Sequence, residues 1–369
     1  MRIVAVVILS LVVATPAWAR RGGSRPRTAR HDGAGKRAKA SRERERPVST
    51  YAHGGGPNIQ AQAALVVDLR SGEELFARRP DDVRPIASIS KLMAMMVVLE
   101  RNLDLEAVTE MLPADRDLAR RGARSRLPTG MKFRNLDLVH AALIASDNRA
   151  VPALGRAVGL DPEAMTQAMN EKARELGLSR TSFGDPTGLD DRNRSTPREL
   201  ARVLSAALSV PLIAEITRKA RYLVHAVDQP GYTVEYQNTD VVARGGKFEV
   251  LTGKTGYTDL AGYCLAIAAR LPEDAGNREV AMVFLGEQGK LTRFGDFGRA
   301  AQWIAEKKPA PILPAAPVTT AALPGAPLPP APTVAAPPPP AVAPSGPATP
   351  QALPRLPTMP PAAAATVLH

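Results

Sequence analysis

Pro85-Ile86-Ala87-Ser88-Ile89-Ser90-Lys91-Leu92-Met93-Ala94-Met95-Met96-Val97-Val98-Leu99-Glu100 is the stretch from which the rest of the chain can be read. From Ser88 to about Glu100 apolar residues fall on nearly every side of a helix rather than along one stripe, which predicts a buried helix. One lysine interrupts it. Ser88 and Lys91 are three residues apart and share a helix face, so a hydroxyl and an amine come within hydrogen-bond reach. Pro85-Ile86-Ala87 leads into the first turn, so Ser88 lies near the helix N-terminus, where the dipole favours developing negative charge. A serine hydroxyl is a weak nucleophile until a neighbouring base takes its proton. Lys91 can be that base if desolvation or a nearby cation keeps part of its population neutral.

Two further short motifs follow in order: Ser146-Asp147-Asn148, 58 residues after Ser88, and Lys254-Thr255-Gly256, 106 residues after Asn148. Ser146-Asp147-Asn148 falls between the helical patterns Leu136 to Ala145 and Ala150 to Val158. A loop there aims Ser146 and Asn148 into a cleft, Ser146 to relay a proton and Asn148 to bind a substrate amide or orient Lys91. Lys254-Thr255-Gly256 precedes a strand pattern that starts after Asp259. Gly256 lets a backbone approach closely, and a peptide can add to the strand edge with Lys254 and Thr255 on its terminal carboxylate. Lys254 is also a candidate for the cation beside Lys91. An oxyanion needs two donors, and the backbone N–H groups of Ser88 and Tyr257 are the candidates. Singly, each motif has an ordinary structural reading as a helix face, a cap or a turn. Their conjunction points to a catalytic site. Gly253-Lys254-Thr255 also looks like the end of a phosphate-binding loop, but Phe248 stands where that motif needs a glycine and no helix pattern follows, so a P-loop nucleoside triphosphatase is rejected.

Outward from the motifs, Ala63 to Asp68 predicts a strand, and Glu74 to Ala77 a returning one after the Arg70-Ser71-Gly72 turn. Helical patterns dominate from Asn135 to about Thr217. Strands return at Leu223 to Ala226, Phe248 to Leu251, Leu260 to Ala269 and Val280 to Leu285. A last helix is predicted from Leu291 to Ile304. Strands at both ends of a helical middle predict a sheet built from both termini with a helical subdomain inserted. Residues 59–306 are thus the folded part of a chain of 369 residues.

The ends read differently. Met1-Arg2, the apolar run Ile3 to Val13 and Ala17-Trp18-Ala19 predict a secretory signal peptide over residues 1–19 and hence an exported, periplasmic or extracytoplasmic protein. Residues 20–58 form a basic tether: up to Pro57 they carry eleven Lys/Arg against three Asp/Glu, a net +8 out of the chain's +12. Membrane phosphates or an anionic envelope polymer are its expected partners, and nucleic acid is not. Residues 307–369 hold 20 of the 35 prolines and predict an extended Pro/Ala-rich tail. Cys264 is the only cysteine, so no internal disulfide forms, and its apolar neighbours place it in a buried strand. The five histidines make no spaced ligand pair, so neither a metal nor a cofactor is implied.

The three motifs together resemble the active-site-serine penicillin-recognising enzymes. More narrowly, Phe183-Gly184-Asp185-Pro186-Thr187-Gly188-Leu189 with Asn193 and Ser195-Thr196, and Gly253 to Thr258 with Ala261-Gly262, resemble the low-molecular-mass penicillin-binding proteins, the D-alanyl-D-alanine carboxypeptidase/endopeptidase family. Ser125-Arg126-Leu127 and the lack of a second β domain resemble its endopeptidase branch. The resemblance implies an α+β fold of the β-lactamase/DD-peptidase type, an antiparallel sheet flanked by helices with an inserted all-helical subdomain. It implies acyl transfer from peptidoglycan peptides ending in D-alanine, with β-lactams as covalent inhibitors, and family roles for Ser88, Lys91, Ser146, Asn148, Lys254 and Thr255. Two other functions compete. A serine β-lactamase shares the motifs but needs a glutamate-bearing loop, and Ser182 to Leu189 holds no Glu. A non-catalytic wall-binding module would leave Ser88 and Lys91 without a purpose.

Overall fold

The computed structural model describes residues 56–120 and 122–307. The leader, nearly all of the basic segment and nearly all of the Pro/Ala tail lie outside the described residues. The main sheet has five strands: β1 (Ala63–Asp68), β2 (Glu74–Arg78), β3 (Glu249–Thr258), β4 (Gly262–Arg270) and β5 (Glu279–Glu287). Their order is β2-β1-β5-β4-β3, and every neighbouring pair is antiparallel. The N-terminal hairpin therefore docks on the C-terminal meander through β1 and β5, with Ala63 opposite Leu285 and Asp68 opposite Val280. This is the α+β, antiparallel architecture expected from strands at both ends of a helical middle.

Between β2 and β3 the chain forms α1 (Ser90–Glu100), α2 (Asn135–Ile144), α3 (Ala150–Ala157), α4 (Pro162–Glu175), α5 (Pro197–Leu208) and α6 (Pro211–Thr217). Local chemistry sets their starts. Asp161 and Thr196 each accept a backbone N–H three residues on, and Pro162 and Pro197 follow them at the first helical position. The insertion is helical in bulk. It also carries short two-stranded ribbons, Arg84–Pro85 with Arg194–Ser195, Val108–Glu110 with Lys132–Arg134, and Arg221–His225 with Thr233–Gln237. Only a strand of the last was legible beforehand, because two- and three-residue strands show no alternation.

The period of two along the strands sorts side chains between two cores. Cys264, Ala266, Ala281, Val283 and Leu285 face the helical side and pack with α1 to α6. Leu265, Ile267, Met282 and Phe284 face the other side, under α7 (Thr292–Glu306), which presents Phe297, Ala300, Trp303 and Ile304. Cys264 is buried, as its neighbours implied. Helix α1 runs through the first core with every residue from Ser90 to Val98 buried. It starts at Ser90 rather than Ser88, and Ser88 sits in the preceding 3-10 turn, Ala87–Ile89. Strand β3 is also longer than read. Lys254-Thr255-Gly256 lies inside it, paired with Ala266, Leu265 and Cys264, rather than ahead of a strand. The polar Thr252 to Thr258 run has no hydrophobic alternation, so its strand character comes from pairing with β4.

Phe297 is buried and meets the Phe248 ring edge-on at 4.9 Å between centroids. Phe297→Ala is expected to lower unfolding free energy by about 3–5 kcal/mol, measured by urea denaturation, while leaving the helical-side core intact.

Candidate active site

Three segments converge at the junction of sheet and helices. The turn before α1 supplies Ser88, α1 supplies Lys91, the loop between α2 and α3 supplies Ser146 and Asn148, and β3 supplies Lys254 and Thr255. The Lys91 amine is fully buried and lies 2.8 Å from Ser88 Oγ, 2.7 Å from Asn148 Oδ1 and 2.5 Å from the Thr187 carbonyl oxygen. The helix-face argument holds although Ser88 is outside the α-helix, because a 3-10 turn still stacks residues three apart.

The Thr187 carbonyl is a contact that motif reasoning missed. It comes from the loop Phe183–Leu189, whose residues had been singled out without roles. Asp185 organises this loop: its carboxylate accepts the Thr187, Gly188 and Asp190 N–H groups at 3.0, 3.0 and 3.1 Å, and the Thr187 hydroxyl. Asn193 staples the loop to the start of α1. Its Oδ1 accepts from Gly184 and Asp185 N–H, and its Nδ2 donates to Ser90 Oγ at 2.9 Å. Gly188 has φ +86°, and a Cβ there would lie 2.2 Å from the Ala87 carbonyl oxygen. Any side chain would push the loop off Ser88.

Strand β3 closes the other wall. A Cβ on Gly256 would fall 2.6 Å from the Ile86 carbonyl oxygen and 3.2 Å from the Ser88 nitrogen, so only glycine lets β3 approach the nucleophile turn. The Ser88 amide is thus beside the residue that precedes Tyr257. Arg293, buried at the start of α7, donates to the Gly256 and Cys264 carbonyls at 2.9 and 3.1 Å and braces this part of the strand. Thr255 Oγ1 donates to Thr239 Oγ1 at 2.7 Å, and Lys254 Nζ to the Thr255 carbonyl at 3.1 Å.

The second motif is held by its aspartate. Asp147 accepts from Ser125 Oγ and Tyr236 OH, both at 2.8 Å, and from the Arg149 N–H at 3.0 Å. Ser146 adopts φ +62° and Ala87 φ +49°, both in the left-handed region that costs a non-glycine residue about 1–3 kcal/mol. Such strain on both sides of one site persists only where surrounding contacts impose it. Ser146 Oγ is buried and has no hydrogen-bond partner among the described residues.

Electrostatics follow from burial. Desolvation brings the Lys91 amine down to about 7, with the Asp185 and Asp147 carboxylates pulling the other way. Lys254 is also held well below its usual range, first by burial and then by the charge of Lys91. Burial is thus the cause that lowers Lys91, while the charge of Lys91 adds to burial in lowering Lys254. Burial raises the Asp240 carboxyl to about 6, and its charge partly offsets that on Lys254.

Sequence comparison agrees with this geometry. Residues 50–289 match the family model of D-alanyl-D-alanine carboxypeptidases. The chain belongs to the D-alanyl-D-alanine carboxypeptidase family. It is 36% identical over 262 residues to the D-alanyl-D-alanine endopeptidase of Escherichia coli, covering 70% of this chain and 82% of that one. The corresponding Pseudomonas aeruginosa endopeptidase is 35% identical, with 70% and 81% covered. Among solved structures, the D-alanyl-D-alanine carboxypeptidase of Mycobacterium tuberculosis superposes with a TM-score of 0.59 at 25% identity, covering 69% of this chain and 94% of that one. A Streptomyces K15 DD-transpeptidase variant gives 0.60 at 25% identity, with 67% and 98% covered.

The buried amine also couples the family fold to pH. Between about pH 7 and 10.5 the unfolded chain holds a proton on Lys91 that the folded chain has released, so this residue's destabilising effect shrinks as pH rises through that window. Relative to Lys91→Met, the wild type should gain stability on going from pH 7 to 9.5, read from urea unfolding at each pH.

Proposed function

We propose that this protein is a serine D-alanyl-D-alanine carboxypeptidase/endopeptidase that hydrolyses peptidoglycan stem peptides through a Ser88 acyl-enzyme. One observation carries the reading. A buried amine brought down to about 7 has Asn148 Oδ1 and the Thr187 carbonyl as acceptors for two N–H bonds, and lies 2.8 Å from Ser88 Oγ. A neutral lysine so held is a base aimed at one hydroxyl.

The chemistry then proceeds in two transfers. Ser88 Oγ bonds to the carbonyl carbon of a D-alanyl residue while Lys91 takes the hydroxyl proton. The Ser88 and Tyr257 N–H groups receive the developing oxyanion. The C–N bond breaks, and the departing amine, free D-alanine or the amine of a cross-linking diamino acid, takes up a proton through Ser146, whose hydroxyl has no competing partner among the described residues. Lys254 and Thr255 hold the terminal carboxylate, Asn148 binds a substrate amide, and Gly256 leaves room for the peptide along β3. Water then cleaves the ester and restores Ser88. β-Lactams acylate the same serine and remain on it. The E. coli and P. aeruginosa relatives carry the endopeptidase name, which favours cleavage of cross-bridges. The enzyme works outside the cytoplasm, exported by the leader at residues 1–19, with the folded domain at 59–306, the basic segment on an anionic envelope surface and the Pro/Ala tail as a spacer.

A β-lactamase is disfavoured by the loop that would hold its deacylating water. The Phe183–Leu189 segment has one carboxylate, Asp185, and it is spent on backbone N–H groups and the Thr187 hydroxyl. Fluorescent penicillin should label the wild type stoichiometrically and Ser88→Ala not at all. Rapid turnover of the penicillin would favour the lactamase, and absence of both label and muropeptide release would leave a binding module. Lys91→Ala should lower the acylation rate by about 10²–10⁴ with the fold retained. The wild-type rate should rise with pH through about 7, as Lys91 loses its proton; a flat profile across that range in stopped-flow acylation would exclude Lys91 as the base.

A further inference from the structure

Beside the site, and not used by the mechanism above, lies an open cavity of about 1100 Å³. Its lining includes Arg124, Ser125, Arg126, Arg149, Tyr232 and Thr239. Ser125 bonds Asp147 of the second motif and Thr239 bonds Thr255 of the third, so the groove opens from the catalytic residues themselves. A second cavity of about 380 Å³ shares Arg124, Ser125 and Arg149 with it and adds Arg116 and Arg120.

The charge of this surface is lopsided. Arg116 and Arg120 share a single carboxylate, Asp117, at 3.6 and 2.9 Å. Glu235 on the far wall lies 3.4 Å from Arg221. Arg149 donates to the Leu127 carbonyl at 3.0 Å and fixes the loop from which Arg124 and Arg126 project. Neither Arg124 nor Arg126 makes an ion pair with an acid among the described residues, and both are exposed. Arg126 stacks instead over the Tyr236 ring, 4.4 Å from its centroid, and Tyr236 OH donates to Asp147 at 2.8 Å. Tyr232 OH donates to the Arg126 carbonyl at 2.8 Å. The arginines are therefore mounted on a braced loop, one of them in contact with the ring that positions the second motif.

We infer that this groove is a subsite for a carboxylate-bearing peptide, the second stem of a cross-linked substrate, with Arg124 and Arg126 reading its free carboxylates. The inference rests on the peptidase reading and names the substrate that reading favours. A carboxypeptidase holds its stem peptide on the acyl side of the cut bond and expels a single amino acid from the other. An endopeptidase must hold peptide on both sides of the bond it cuts, and stem peptides carry free carboxylates. Guanidinium forks match carboxylates in geometry as well as charge.

The test compares two cross-linked muropeptide dimers, one with free stem carboxylates and one with those groups amidated. The wild type should favour the acidic dimer by about tenfold in kcat/KM, the scale of one charge-assisted hydrogen bond. Arg124→Gln with Arg126→Gln should bring that ratio near unity, mainly through KM, whereas Arg126→Lys should keep a preference. Calorimetric binding of both dimers to Ser88→Ala protein should show the same preference without chemistry. A wild-type ratio near unity, or a preference that survives loss of both arginines, overturns the subsite. Failure of the peptidase reading would show separately, as wild type that takes no penicillin label, and the binding ratio on Ser88→Ala would still report on the groove.

Discussion

The site depends on keeping one amine out of water. Lys91 is fully buried near the start of a helix whose first nine residues are all buried and, after Lys91, apolar, and burial is the largest reason its proton comes off near neutrality. Solvation would return an ammonium with no lone pair to offer. What surrounds it is therefore selected twice over: it must exclude water and it must supply acceptors. Asn148 Oδ1 and the Thr187 carbonyl do the second task with neutral oxygens. Asp147 and Asp185, the nearby carboxylates, are turned away and occupied by hydroxyls and backbone N–H groups. A carboxylate placed directly on the amine would restore its charge.

That demand propagates into the fold. The helices of the insertion cover one face of the sheet and seal α1, and α7 covers the other face. Two glycines set the tightest approaches to backbone, Gly188 over the Ala87 carbonyl and Gly256 over the Ile86 carbonyl, so that a loop from the insertion and a strand from the sheet both press on the turn carrying Ser88. Arg293 then braces the strand from behind. The strained backbone at Ala87 and Ser146 lies where these elements meet, consistent with local conformation yielding to the surrounding contacts.

Much of this was legible in advance. The nearly all-round apolar character of residues 88–100 announced a buried helix, and the order of strands and helices announced a sheet built from both ends. The three motifs named Ser88, Lys91, Ser146, Asn148, Lys254 and Thr255, which meet at one junction. Boundaries were less legible. Ser88 falls in a 3-10 turn against which the backbones of Gly188 and Gly256 pack closely, and no side chain signals that. The strand through Lys254 was hidden because its residues are polar, and its pairing with Ala266 is a property of β4. The Thr187 carbonyl and the Arg293 brace were missed for a related reason: a backbone oxygen has no identity in a sequence, and an arginine at the head of a distant helix looks like any other.

Residue order alone determined which groups have the right chemistry and which pair, Ser88 and Lys91, is forced together, because three residues on a turn are neighbours whatever else happens. It also determined which segments can be buried. Only tertiary structure decided that Asn148, 57 residues away, and Thr187, 96 away, reach the same nitrogen, and that the nitrogen is dry. Proton affinity depends on what lies within a few ångströms in space, and separation along the chain carries almost none of that information.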